Sequence, residues 1–457
     1  MPDTNTDPTS DLLALAAERG IRYRADVDAR PVAPPPDAIE RLAALGGPLP
    51  ETPQPPEQVF ALLDEIGSPA TVATAGGRYF GFVTGSSLPV TVAASWLAAA
   101  WDQNAGLYVM SPVAAELETI ALGWLLDILG LPAETGGAFV TGATMANFTA
   151  LAAARHAVLR RVGWDVEADG LFGAPPITVV VGAEAHTTLH KALALLGMGR
   201  SRVVTVPVDS QGRMRADALP DITGPAIVCI QAGNVNTGAF DPAGAILPWA
   251  QRAGAWVHVD GAFGLWAAAA PERASLVADF AGADSWATDA HKYLNTPYDC
   301  GLAFVRDANT LRSAMTATAA YLPTADQRDP MHYTPESSRR ARGVEIWTAL
   351  RTLGRAGVAD LVERCCRHAT RFAKGLRAAG YDILNEVGFN QVLVAFGDDE
   401  TTRRVIAVVQ RDGACWCGGT VWQGRAAMRI SVSSYATTEA DVERSLAAII
   451  RLANDQR

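Results

Sequence analysis

Asp284-Ser285-Trp286-Ala287-Thr288-Asp289-Ala290-His291-Lys292-Tyr293 joins a short, mostly apolar run to a histidine–lysine pair. Residues 285–288 are too few for a helix and suit a strand buried on both faces. Lys292 then stands at a strand end, where an interior amine can react. Burial penalises the ammonium form, so an interior lysine tends toward the free amine that forms a Schiff base. The ordinary alternative, an exposed strand-end lysine in a surface ion pair, is the commoner fate of a lysine taken at random.

Outward from this run, similar short apolar segments recur at residues 138–140, 177–181, 203–206, 226–230, 256–259 and 302–305. Helical segments at 145–160, 188–196 and 242–253 lie between them. Near-continuous apolar strands separated by helices predict an α/β fold with a mostly parallel, seven-stranded sheet between helices. The pattern begins near residue 85 and ends near 347. Downstream, a long helix at 349–379 interrupted near Gly357, strands at 391–396, 419–422 and 427–432, and a helix at 439–452 capped at Thr437-Thr438 predict a small α+β domain. Upstream lie a helix at 12–19 and a proline-rich stretch expected to run extended over a surface. The expected division is an N-terminal arm over 1–84, a large domain over 85–347 and a C-terminal domain over 348–457.

Three further strand ends carry chemistry. In Trp256-Val257-His258-Val259-Asp260-Gly261-Ala262-Phe263-Gly264, a strand delivers Asp260 to its carboxyl end, where ligands of open α/β sheets bind. There it can pair with a cationic ring nitrogen, a contact worth about 1.5–3 kcal/mol. Ala262 is small enough for a flat ring to lie against it. A turn aspartate capping the next helix is the plain alternative. In Phe139-Val140-Thr141-Gly142-Ala143-Thr144-Met145-Ala146-Asn147, a helix opens at Ala143-Thr144 with free N–H groups suited to a phosphate. In Glu184-Ala185-His186-Thr187-Thr188, His186 can stack on a ring or meet a carboxylate, although a single histidine is more often an ordinary polar neighbour.

The 457 residues are 49% hydrophobic and 19% charged, with 38 Lys and Arg against 48 Asp and Glu, a formal charge of −10. An acidic chain without a basic block argues against nucleic acid as partner. Apolar runs such as 92–101 fall short of the roughly 18 residues that span a bilayer, so no membrane association is expected. The first residues carry acids and prolines in place of a basic start and an apolar stretch, so no secretory signal is expected. Six cysteines make no disulfide scaffold or zinc knuckle, and a cytoplasmic enzyme without a metal follows as the default.

In order and spacing, the phosphate turn, His186, Asp260-Gly261-Ala262 and His291-Lys292 resemble the fold-type I enzymes that use pyridoxal phosphate. Among these the chain is similar to the group II amino-acid decarboxylases, the aromatic amino-acid and glutamate decarboxylases included. Arg78-Tyr79-Phe80-Gly81, Ser111-Pro112-Val113-Ala114-Ala115-Glu116-Leu117-Glu118, Arg339-Arg340-Ala341-Arg342-Gly343-Val344-Glu345-Ile346-Trp347 and Met428-Arg429-Ile430-Ser431 resemble further landmarks of that family. The resemblance implies α-decarboxylation of an L-amino acid to an amine and CO2, with Lys292, His186 and Asp260 as catalytic groups. It makes Lys292 the Schiff-base lysine and Asp260 the partner of the pyridine nitrogen. It sets Ala262 and His186 on the two ring faces, Ala143, Thr144 and His291 at the phosphate, and Asn234 near the ring. It also implies a homodimer with shared active sites, residues 79–84 and 104–108 lying near the neighbouring subunit's cofactor.

The chain departs from the family at three places. Asp289 stands where many decarboxylases have an asparagine, which argues against a direct phosphate contact there. Asn104, Ala105 and Gly106 replace bulky apolar residues expected around an aromatic substrate. Pro330 falls where the family's mobile loop carries a proton-donating tyrosine, with Tyr321 and Tyr333 nearby. A lost donor opens aminotransfer or decarboxylation coupled to oxidative deamination as alternatives. A non-catalytic relative using the fold for binding is a further alternative, against which the intact Lys292 argues.

Overall fold

A computed structural model describes residues 8–316 and 327–456. After a two-residue strand, β1 (Tyr79–Phe80), come β2 (Gly136–Val140), β3 (Thr178–Gly182), β4 (Val204–Val206), β5 (Ala226–Gln231), β6 (Trp256–Asp260), β7 (Ser285–Asp289) and β8 (Gly301–Val305). The last seven form one sheet in the order β2-β8-β7-β6-β5-β3-β4. Its strands run parallel except β8, which is antiparallel to both neighbours. Every residue of β2, β5, β6, β7 and β8 is buried, as expected for a sheet covered on both faces. The alanine-rich helix Ala143–Arg160 packs across β6, β7 and β8.

The second sheet has the order β1-β11-β12-β10-β9, from β9 (Asp382–Ile383), β10 (Gln391–Ala395), β11 (Trp416–Trp422) and β12 (Arg425–Ser431). Its edge strand β1 comes from the N-terminal segment and runs parallel to β11, Tyr79 opposite Trp416 and Phe80 opposite Cys417. The buried guanidinium of Arg78 locks this junction by donating to the carbonyls of Asp28, Arg30 and Ala414. The arm is therefore woven into the C-terminal sheet. The helix Gly343–Ala378 continues through position 347/348, and its non-helical residue is Gly354 (φ 59°, ψ −179°) rather than Gly357. Thr438 caps the last helix, Glu439–Asn454, in a reciprocal pair with Asp441.

The proline-rich stretch is not simply extended. Pro36 and Pro56 open the short helices Pro36–Arg41 and Pro56–Leu62, because a first-turn residue needs no N–H partner and proline's φ already suits a helix. The helix expected at 12–19 extends to Pro8–Asp26.

The turn after Lys292 ties the parts together. Asn295 is fully buried, and its Nδ2 donates to the carbonyls of Lys292 (2.9 Å), Tyr293 (3.0 Å) and Ser433 (3.0 Å). Its Oδ1 accepts from the N–H groups of Ser86 (3.2 Å) and Tyr435 (2.8 Å). Gly85 crosses so close that a Cβ there would sit 2.0 Å from the Lys292 carbonyl oxygen, which only glycine permits.

Candidate active site

The carboxyl ends of the parallel strands open onto a cavity of about 220 Å³. Ala143, Thr144, His186, Asp260, Ala262, His291 and Lys292 all line it. Asn234 does not. Its Oδ1 accepts from the N–H groups of Asn236 (2.9 Å) and Thr237 (3.2 Å), a turn that leaves Gly233 and Val235 on the cavity wall. Asn234 thus shapes its own loop, as asparagine commonly does in turns.

Lys292 leaves the end of β7 on one short helical turn, Ala290–Tyr293. Its Nζ lies 2.9 Å from Oδ2 of Asp289 and 6.0 Å from the centre of the Phe263 ring. The other carboxylate oxygen, Oδ1, is buried without a hydrogen-bond partner, 3.7 Å from His291 Nε2. His291 Nδ1 accepts from the Cys300 N–H at 3.1 Å, and the Tyr298 ring rests on the imidazole at 4.5 Å. Burial pushes the His291 pKa down against the pull of Asp289.

His186 caps the helix Thr187–Leu195: its Nδ1 accepts from the Thr188 N–H (3.3 Å) and bonds the Thr188 hydroxyl (2.7 Å). The ring is thereby fixed in plane. Burial lowers its pKa, opposed by Asp260, so the neutral ring is favoured. The first turn of the helix Ala143–Arg160 carries no acidic side chain, which leaves its positive end free for an anion.

Asp260 is held from two sides, Oδ1 by the Ala262 N–H (3.3 Å) and Oδ2 by Asn147 Nδ2 (3.2 Å). Asn147 in turn meets His258. Neither was expected from the sequence; the available signal is a polar residue set inside an otherwise apolar helix or strand. Arg429 of β12, within the 428–431 stretch that resembles the family, has no role assigned from the sequence. Its Nη1 is 3.4 Å from Asn236 Oδ1, its Nε is buried without a partner, and it acts electrostatically on both His186 and Tyr79. Burial raises the Tyr79 pKa to about 12, so its hydroxyl remains protonated.

Residues 49–397 match the pyridoxal-dependent decarboxylase conserved domain. The chain belongs to that family. Tryptophan decarboxylase 1 of Oryza sativa subsp. japonica is 28% identical over 408 residues, 80% of this chain and 78% of that protein. Phenylacetaldehyde synthase of Arabidopsis thaliana is 25% identical over 426 residues, 86% of each. The crystal structure of Oryza sativa TDC with PLP and tryptamine superimposes with a TM-score of 0.91 at 24% identity, covering 100% of this chain and 99% of that one, and shows the shared fold. This family member is a pyridoxal phosphate-dependent amino-acid decarboxylase, a carboxy-lyase. Among its described residues no helix is long and apolar enough to cross a membrane. The cavity suits the cofactor: it joins a lysine amine, a helix start free of acids, and a hydrogen-bonded carboxylate.

Proposed function

We propose that Lys292 bonds the cofactor and that Asp260 keeps a proton on its ring nitrogen. The reading is carried by one observation, the convergence of Lys292, Asp260, His186 and the acid-free helix start on a single cavity. When bound, pyridoxal phosphate draws electrons from the substrate's Cα as the carboxylate leaves. Around it, His186 and Ala262 orient the ring from opposite faces. The N–H groups of Ala143 and Thr144, with His291, bind the phosphate. Arg429, whose charge reaches His186 at the cavity wall, attracts the α-carboxylate of the incoming L-amino acid. Phe263 and Val235 exclude water from the reacting carbon. Asn234 serves the site by shaping the loop that carries Val235.

The working form in this proposal is a cytoplasmic homodimer. All six cysteines are free, which suits a reducing compartment. The helix Pro89–Trp101 presents Trp96, Leu97 and Trp101 to its surroundings, an apolar face for a second copy.

Borohydride reduction of the cofactor-loaded protein, followed by peptide mapping, tests the core of this reading. The stable adduct is expected on Lys292. An adduct elsewhere overturns it.

A second reading is a reaction that consumes oxygen and water and converts the amino acid to aldehyde, CO2, ammonia and hydrogen peroxide. Pro330 favours it: this residue, matched to the family's loop tyrosine, is buried in the turn Pro330–His332 and has no proton to give. Tyr333 stacks under Arg328 at 4.2 Å and does not line the cavity. Tyr321 lies outside the described residues. The name of the Arabidopsis thaliana relative, an aldehyde synthase, supports the same alternative.

A further inference from the structure

Behind the cavity wall, an uninterrupted file of buried polar side chains runs through the large sheet. Trp256 Nε1 is 2.8 Å from Ser285 Oγ, and Ser285 Oγ is 2.9 Å from His258 Nδ1. His258 Nε2 is 2.8 Å from Asn147 Oδ1, and Asn147 Nδ2 is 3.2 Å from Asp260 Oδ2. Asn147, His258 and Ser285 have no exposed surface at all. The two ends dictate the direction of every bond. The indole N–H can only donate, and a carboxylate can only accept. Ser285 therefore accepts from Trp256 and donates to His258 Nδ1. His258 carries its single proton on Nε2 and donates to Asn147, whose amide donates to Asp260. Any other tautomer or amide orientation leaves two donors or two acceptors facing each other in a dry interior.

We propose that Asn147 and His258 are positioning residues for the reaction, forming a one-way donor chain that holds Asp260 as an oriented anion. This rests on the reading of Asp260 as the partner of the cofactor's ring nitrogen. Donation to Oδ2 occupies one of its lone pairs and fixes the plane of the carboxylate. The Ala262 N–H does the same at Oδ1. Burial pushes the His258 pKa down to about 3, so near neutrality the ring stays uncharged and has no second proton to pass along. The chain orients; it does not relay. Because Trp256, His258 and Asp260 belong to β6, Ser285 to β7 and Asn147 to the packed helix, the orientation of Asp260 is coupled to the seating of that helix on the sheet.

Asn147→Leu keeps the branched shape and removes both bonds, freeing His258 to move its proton to Nδ1, and Ser285→Ala removes only the far donor. Cofactor-free protein labelled with ¹⁵N-histidine gives a readout independent of catalysis. His258, assigned by its loss in His258→Gln, is expected as the Nε2–H tautomer in the parent and in Ser285→Ala, where Asn147 still accepts from it, and as a mixture in Asn147→Leu. An Nδ1–H parent overturns the chain. In cofactor titrations, Asn147→Leu is expected to weaken binding by about tenfold to a hundredfold. It should lower kcat with little change in KM, and Ser285→Ala should show smaller effects of the same sign. Asp260→Asn serves as the reference. If Asp260→Asn loses activity while the folded Asn147→Leu and Ser285→Ala proteins match the parent, the donor chain is wrong. If Asp260→Asn is itself unaffected, the reading of the ring-nitrogen partner fails instead.

Discussion

Asp289 Oδ2 lies 2.9 Å from Lys292 Nζ, so the amine that we place in bonding to the cofactor has an ion-pair partner in the same turn. That pair must separate before the nitrogen can form a covalent bond. Asp289→Asn keeps the shape and removes the counter-charge. Its cofactor-free form is expected to capture pyridoxal phosphate about three- to tenfold faster, the scale of a partly exposed ion pair. Stopped-flow absorbance measures this, and slower capture would contradict the assignment.

Asp260→Asn should fold with unchanged circular dichroism and lose about a hundredfold or more in kcat, since a neutral amide cannot hold the ring-nitrogen proton electrostatically. Full turnover in the folded variant would give that nitrogen another partner.

Stability should fall in acid through His258. Its pKa is about 3 when folded, against an ordinary value of 6.5, so between these the unfolded chain binds the extra proton. The stabilising contribution is complete above about pH 6.5 and is lost as pH falls toward 3. His258→Gln has no such titration. Its urea midpoint is expected to lie below the parent's at pH 7, with the gap narrowing by pH 4.5. A gap that widens on acidification would show that His258 is protonated in the fold.

The helix Pro89–Trp101 buries only Thr91 among its 13 residues, although Trp96, Leu97 and Trp101 are large and apolar. The double variant Leu97→Glu, Trp101→Glu should sediment as a monomer and lose activity. An active monomer would separate function from association.

Tyr333 is held beneath Arg328 against the core beside the helix Ala143–Arg160. Tyr333→Phe should therefore leave the ratio of amine to aldehyde and peroxide unchanged. A shift toward aldehyde would make Tyr333 the proton donor and return the loop to its family role.

The strands of the large sheet are legible because burial on both faces leaves almost unbroken apolar runs, and chemistry-bearing residues cluster just beyond their ends. Lys292, Asp260 and His186 stand out for that reason. β1 is not legible: two residues carry no periodicity, and their pairing with β11 depends on a distant segment. Asn147 and His258 escape for a different cause, since an isolated polar residue within an apolar run carries no trace of its partner. Gly354 rather than Gly357 breaks the long helix because the break needs a positive φ at one position, and both glycines offer it equally in sequence.

The anchoring of Arg78 on the carbonyl of Ala414 also sets an order of events during biosynthesis. The two residues are 336 positions apart. At roughly 5–20 residues per second, a ribosome needs roughly 20–70 s to supply the second after the first. Throughout that interval Arg78 lacks its acceptor on Ala414, Phe80 lacks its strand partner, and the edge that joins them is unpaired. The second sheet therefore closes late, after every strand of the large sheet has been made.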